Sequence, residues 1–245
     1  MRIGIVSDIH ANLIALETVL EAMGPVDKLW CLGDVVGYGP SPNECIESLL
    51  ARPDLEICLT GNHDWAALGR LDLNDFNPDA RQAAIWTRQQ LTKESERFLL
   101  ERPGKVVYDE EFTLAHASPR HPIWEYITSP AIARINFLHF ETPVCLVGHT
   151  HVPAMYSLDE QGAIHDEMLE NGASVSVRDV RRFILNPGSV GQPRDSDPRA
   201  AYAVWDGDAG IIHFHRIAYD VAATQQRMAE FGLPIRLIMR LNYGW

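Results

Sequence analysis

Five polar clusters in this 245-residue chain carry side chains able to hold metal ions: Asp8-Ile9-His10, Gly33-Asp34, Gly61-Asn62-His63-Asp64, His116, and Gly148-His149-Thr150-His151. Carboxylate, imidazole and amide groups in this mixture suit divalent transition metals better than calcium, which prefers all-oxygen cages. The set is too large for one tetrahedral zinc. Two ions sharing a bridging carboxylate would account for the number, and two metals about 3.5–4 Å apart are the usual apparatus for hydrolysing phosphate esters. Taken singly none of the clusters has this meaning, because a D-x-H triplet arises by chance and an isolated histidine more often packs or faces solvent. Together they point to a dinuclear hydrolase.

The clusters follow segments that read as strands. Residues 3–7, 29–32, 57–60 and 144–147 are short apolar runs without polar alternation, as expected of parallel strands covered on both faces. Helical patterns separate the first three. Leu13, Leu16, Leu20 and Met23 follow helical spacing, with Asn12 as cap and Gly24-Pro25 as stop; Ser41-Pro42 opens a second helix to about Leu50, with Ser41 as its cap. Residues 78–100 read as helix in two pieces broken near Thr92, followed by strands around 106–107 and at 112–115, the latter ending at His116. The second half is more β-like, with strands at 154–158, 182–185, 201–205 and 211–216 and a last helix at 221–231 that ends at Gly232 and Pro234. Ligands of parallel α/β sheets bind at the carboxyl ends of strands, so the polar loops should converge in space. No repeat or linker interrupts the chain, and residues 1–245 are expected to form one domain of two sheets with helices outside.

Composition narrows the function classes. The formal charge of −12, from 21 Lys+Arg against 33 Asp+Glu, argues against a broad basic surface for nucleic acid, though not against a nucleotide in a local pocket. No run reaches the roughly 18 apolar residues of a membrane span, and Met1 leads straight into a strand-like segment rather than a signal peptide, so the expected compartment is the cytoplasm. Cys31, Cys45, Cys58 and Cys145 form no C-x-x-C pair and are expected to be buried thiols. The oddity is ten histidines, a scarce residue and the commonest metal ligand.

In order and spacing, Asp8-x-His10, Gly33-Asp34, Gly61-Asn62-His63-Asp64, His116 and Gly148-His149-x-His151 resemble the five motifs of the calcineurin-like metallophosphoesterase superfamily. Residues 186–191, Asn-Pro-Gly-Ser-Val-Gly, resemble a segment of its small prokaryotic phosphodiesterase-like branch. The resemblance implies a four-layer α/β/β/α sandwich of two mixed sheets flanked by helices. It implies that Asp8, His10 and His151 hold one metal, that Asn62, His116 and His149 hold the other, and that Asp34 bridges both. The ions would be two divalent metals, manganese first, with iron, zinc, nickel or magnesium as alternatives. A hydroxide between them would attack the phosphorus of a small phosphodiester or phosphomonoester in line, and His63 would contact phosphate or protonate the leaving group.

One segment departs from the pattern. The protein-phosphatase branch resembles GDxxDRG after the bridging aspartate, whereas here Gly37 stands in place of the acid that would orient His63 and Tyr38 in place of a phosphate-clamping arginine. A phosphoprotein substrate is therefore disfavoured, and what orients His63 is left open. Asn12, Arg120 and Arg194 are further candidates for substrate contact; capping explains Asn12 equally well, and a salt bridge would explain Arg194. The competing readings are a non-catalytic metal-binding scaffold of the same fold, and a nuclease or nucleotide pyrophosphohydrolase. The sequence does not give the oligomeric state.

Overall fold

The apolar runs at the front of the chain become β1 (Arg2–Val6), β2 (Lys28–Cys31) and β3 (Leu55–Cys58), joined by α1 (Leu13–Met23) and α2 (Pro42–Leu50). They pair in parallel, as two-sided burial requires. The computed structural model describes residues 1–178 and 182–245. After β3 come α3 (Asn62–Ala67), a 3-10 turn at Leu73–Asp75, α4 (Pro78–Gln90) and α5 (Lys93–Leu100), the last two divided at Leu91 and Thr92. The second half holds β4 (Lys105–Tyr108), β5 (Phe112–Ala115), α6 (Pro130–Asn136), β6 (Val144–Leu146), β7 (Ala154–Leu158), β8 (Ile164–Met168), β9 (Ser174–Ser176), β10 (Arg182–Asn186), β11 (Ala200–Asp206), β12 (Ile211–Ile217), α7 (Val221–Glu230) and α8 (Ile235–Arg240).

Two six-stranded mixed sheets result, in the orders β3-β2-β1-β11-β12-β9 and β4-β5-β6-β10-β7-β8. Side chains from both, among them Trp30, Phe112, Leu146, Phe183 and Ala203, fill the space between them. The other face of the first sheet is covered by α1, α2 and α5 through Leu16, Val19, Ile46, Leu49 and Phe98, while α6 covers the second through Ala133. The molecule is thus an α/β/β/α sandwich, as the resemblance implies. Within the second sheet β5, β6 and β10 run parallel, so the carboxyl ends of six strands from both sheets meet along one edge.

Two local expectations fail, and one strand goes unread, for identifiable reasons. Ser41 makes no side-chain cap; its backbone N–H is committed to Ala11 O at 2.9 Å, and Pro42 alone starts α2. The helix at 221–231 is not the last, because α8 starts directly after Pro234, the residue read as its stop. β8 was not anticipated because its polar residues lie at an exposed edge and show no buried face. All four cysteines are free and buried. Among the described residues, no helix is long and apolar enough to cross a membrane.

Candidate metal centre

The loops leaving the six parallel strand ends are bound together before their side chains are considered. Asp8, His10 and Ala11 donate backbone N–H bonds to the carbonyls of Gly33, Asp34 and Val35 at 3.1, 2.9 and 2.9 Å, and Gly148 N donates to His116 O at 2.7 Å. The 186–191 segment fastens this edge, first within the second sheet through Asn186 and then to the first sheet through Ser189 and Val190. Asn186 Nδ2 donates to Gly148 O at 2.6 Å, Ser189 Oγ to Asp8 O at 2.8 Å, and Val190 N to Ser7 O at 2.9 Å. Of the ten non-glycine residues with positive φ among the described residues, five are proposed ligands: Asp8, His10, Asp34, His149 and His151, at 50–65°. Each such conformation costs about 1–3 kcal/mol and persists only where the surroundings hold it.

Two groups of side chains converge here. Ligand atoms of Asp8, His10, Asp34 and His151 lie within 4.8 Å of one another, and so do those of Asp34, His116 and His149; Asp34 belongs to both. Every member is buried. His10 Nε2 faces His151 Nε2 at 3.0 Å, and His116 Nε2 faces Asn62 Oδ1 at 3.2 Å, which brings Asn62 to the second group. Outside, the Nδ1 atoms of His10, His116 and His151 meet the carbonyls of Val36, Leu32 and Gln192 at 3.2, 2.9 and 2.6 Å. A carbonyl accepts only from an N–H, so these anchors place a proton on Nδ1 and turn the Nε2 atoms inward, as metal-binding histidines require.

The carboxylates are held equally firmly. Asp34 Oδ1 accepts from His63 N at 2.8 Å, and the close approach requires Gly61, where a Cβ would fall 2.1 Å from that oxygen. Asp8 accepts from Ser7 Oγ at 2.6 Å and from His149 N. Asp34 Oδ2 and His149 Nε2 are buried without a hydrogen-bond partner. Uncompensated burial of such atoms is costly, so a donor set with two inward orphans fits cations.

Electrostatics divide the cluster. Burial pushes the Asp34 carboxyl up, but the charges of His116, His63 and His10 outweigh it and hold the group well below its ordinary range. His116 mirrors this: burial lowers it, while the Asp34 charge, with Oδ2 3.4 Å from Nε2, raises it to about 9. Burial lifts Asp8 to about 7 and drives His10, His149 and His151 well below the usual imidazole range. His63 falls to about 4, again through burial.

No carboxylate orients His63. Its ring is packed by Tyr38 at 4.2 Å between centroids, His10 at 5.0 Å and Phe76 at 5.2 Å, and its Nδ1 is buried without a partner. Asp64, next in sequence, turns away and accepts from Val36 N at 3.0 Å and Gly61 N at 2.9 Å, bracing the loop that carries Asp34 against the start of α3.

The remaining sequence candidates separate. Asn12 caps α1 through Ala15 N and spends its other bonds on Gly191 O and Thr224 Oγ1. Arg120 pairs with Glu125, which Ser118 and Asn136 also hold. Arg194 alone faces the cluster: its guanidinium reaches Tyr38 Oη at 3.2 Å, and its charge acts on Asp8, His10, His63, His149 and His151. The mouth is aromatic. Tyr126 lies on His149 at 3.8 Å, and Trp124 packs on Phe76 at 5.2 Å. Phe76 carried no sequence signal, and neither did the bracing role of Asp64, which depends on donors far away in the chain.

Residues 1–210 match a family model described as the calcineurin-like phosphoesterase superfamily domain. The chain belongs to that superfamily. Among solved structures of this calcineurin-like fold, it is similar to a metallophosphoesterase from Sphaerobacter thermophilus, with 49% identity and a TM-score of 0.90 over 100% of this chain and 99% of that one. It is 34% identical to an uncharacterized protein of Methanocaldococcus jannaschii, covering 99% of this chain and 98% of the relative. A shorter match, 34% identical over 100 residues and 35% of each chain, links this phosphoesterase to the symmetrical bis(5'-nucleosyl)-tetraphosphatase of Pseudomonas fluorescens. The Asp/His clusters of this chain could hold metal.

Proposed function

We propose that this phosphoesterase is a dinuclear metal-dependent enzyme that hydrolyses a small phosphodiester or phosphomonoester. The observation that carries the reading is Asp34, shared by two carboxylate–imidazole groups, with Oδ2 lying 3.6 Å from His10 Nε2 and 3.4 Å from His116 Nε2 and without a hydrogen bond. Asp8, His10 and His151 would hold one ion and Asn62, His116 and His149 the other, with Asp34 common to both; manganese is the first choice. When bound, two divalent cations would supply Lewis acidity toward the phosphoryl oxygens and a nucleophile drawn from water at neutral pH.

The chain's own residues supply the rest. Arg194, anchored on Gln192 Oε1 at 2.8 Å and reaching over Tyr38, would bind a phosphoryl oxygen. His63, neutral at pH 7 because of its burial, would donate a hydrogen bond to a phosphoryl or leaving-group oxygen while its aromatic neighbours fix the ring.

Metal analysis together with turnover of an aryl phosphodiester and its monoester tests this reading. Expected are about two ions per chain, manganese-dependent hydrolysis that a chelator abolishes, and a preference that identifies the ester class. A manganese-loaded protein inactive on phosphomonoesters, diesters and nucleotides would overturn it.

A further inference from the structure

Between the start of α4 and the 236–245 segment lies a cavity of about 530 Å³ that no step above uses. It is lined by Asn77, Asp79, Arg236, Arg240, Tyr243 and Trp245, with apolar floor from α8. Tyr243 and Trp245 are stacked, with centroids 4.7 Å apart and an interplanar angle of 24°, and both remain about half exposed, so the stack presents an open aromatic face. Arg236 is exposed and makes no hydrogen bond or ion pair among the described residues. Arg240 is half-buried, is pushed down to about 10 by burial and by the Arg194 charge, and donates from Nε to Trp245 O.

The cavity is joined to the metal centre. Ser196 N, two residues beyond Arg194, donates to Gly244 O at 2.8 Å, fastening the 241–245 segment to the Arg194 loop. Leu241 shares a small internal void with His10, Tyr38 and Gln192. Arg236 and Arg240 line the cavity together with the stacked rings, and Arg194, whose charge acts on the ligand cluster, also acts on Arg240. The like charges of Arg194 and the half-buried Arg240 repel, and an anion bound near both offsets that cost. A flat aromatic face beside cationic side chains selects a planar base or aryl group at one end of a polyanion. Asp79 adds an acceptor suited to hydroxyl or amino groups of such a ligand.

We infer that this cavity is a recognition subsite for the nucleoside end of a nucleoside polyphosphate, with the base on the Tyr243–Trp245 face and the phosphate chain passing Arg240 and Arg194 toward the metal ligands. The inference rests on the proposed phosphoesterase reading and names its substrate class. The volume accommodates a nucleoside, and the overall charge of −12 is no obstacle, because Arg236 and Arg240 line the one cavity.

The test is calorimetric titration of the manganese-loaded full chain with β,γ-methylene-ATP and, separately, with methylenediphosphonate, which has no nucleoside. The nucleotide analogue is expected to bind at least tenfold more tightly. Trp245→Ala and Tyr243→Ala should each remove most of that difference, whereas Arg240→Gln should weaken both ligands. Equal affinity for the two ligands in the wild-type protein, or an undiminished preference in both aromatic variants, would overturn the subsite. Hydrolysis of an aryl phosphodiester by the wild-type protein is measured in parallel. Activity there without nucleoside preference rejects only the subsite; nucleoside preference without any hydrolysis rejects only the enzymatic reading.

Discussion

Replacing Gly37 by alanine should displace His63, because nothing but packing holds that ring. Gly37 has φ +94°, and a Cβ there would sit 2.9 Å from both the Cβ and the Nδ1 of His63, closer than real side chains come. Forcing alanine into left-handed backbone costs about 1–2 kcal/mol, and overpacking a tight site adds about 1–3 kcal/mol. Urea unfolding in the presence of a chelator, so that metal binding does not contribute, should show a loss of about 2–5 kcal/mol. With a slope near ~3 kcal/mol/M, the midpoint falls by about 1 M. A cycle with His63→Gly separates the two parts. Removing the contacting His63 Cβ, Cγ and Nδ1 atoms should leave Gly37→Ala costing only the backbone share of about 1–2 kcal/mol. In the manganese-loaded enzyme, the shifted ring should lower kcat about a hundredfold. A cost below about 0.5 kcal/mol, or the same cost in both backgrounds, would refute the packing account.

Asp64→Ala strands two buried N–H donors, Val36 and Gly61, and should destabilise the fold by about 2–6 kcal/mol in the same unfolding assay; less than 1 kcal/mol would remove its bracing role. Asp34→Asn should reduce the metal content below two ions and cut phosphodiester hydrolysis at least a hundredfold, whereas undiminished turnover would show that Asp34 does not bridge. Because Asp34 raises His116 to about 9, the ring is protonated at neutral pH and must lose that proton before Nε2 can bind an ion. Manganese affinity should therefore rise with pH by up to tenfold per unit as far as about pH 9 and then level off; a flat profile between pH 6.5 and 8.5 would contradict this.

What the sequence made legible was the part encoded locally. Apolar runs such as Ile3-Gly4-Ile5-Val6 ending in Asp8 or His10 mark both a buried parallel strand and the loop at its carboxyl end, so strand and ligand are read together. The bracing groups were not legible, because their partners are set by tertiary contact. Asp64 answers Val36 across 28 residues, and Ser189 answers Asp8 across 181. The mouth shows the same limit. Tyr38, Phe76 and the Trp124–Tyr126 pair come from three separate connections, with no spacing that would relate the three. Arg120 and Arg194 looked alike in sequence, and only the position of Glu125 beside the first distinguishes an internally paired guanidinium from one directed at the cluster. Polar edge strands such as β8 escape for a different reason: an exposed strand needs no hydrophobic alternation.

The hydrogen bonds that Ser189, Val190 and Gly191 make to Ser7 and Asp8 across the strand ends bear on how the molecule can move. Two packed sheets ordinarily slide by small shear displacements, since the side chains between them carry no directional bonds. Here directional bonds join the sheets along the edge that carries the ligands. Sliding at that edge would break several of them at once, so relative motion of the sheets must pivot about the ligand loops and grow toward the opposite edge. The metal centre then lies at the stillest part of the molecule, and changes made far from it, at the other end of the strands, can alter stability while leaving the spacing of its ligands intact.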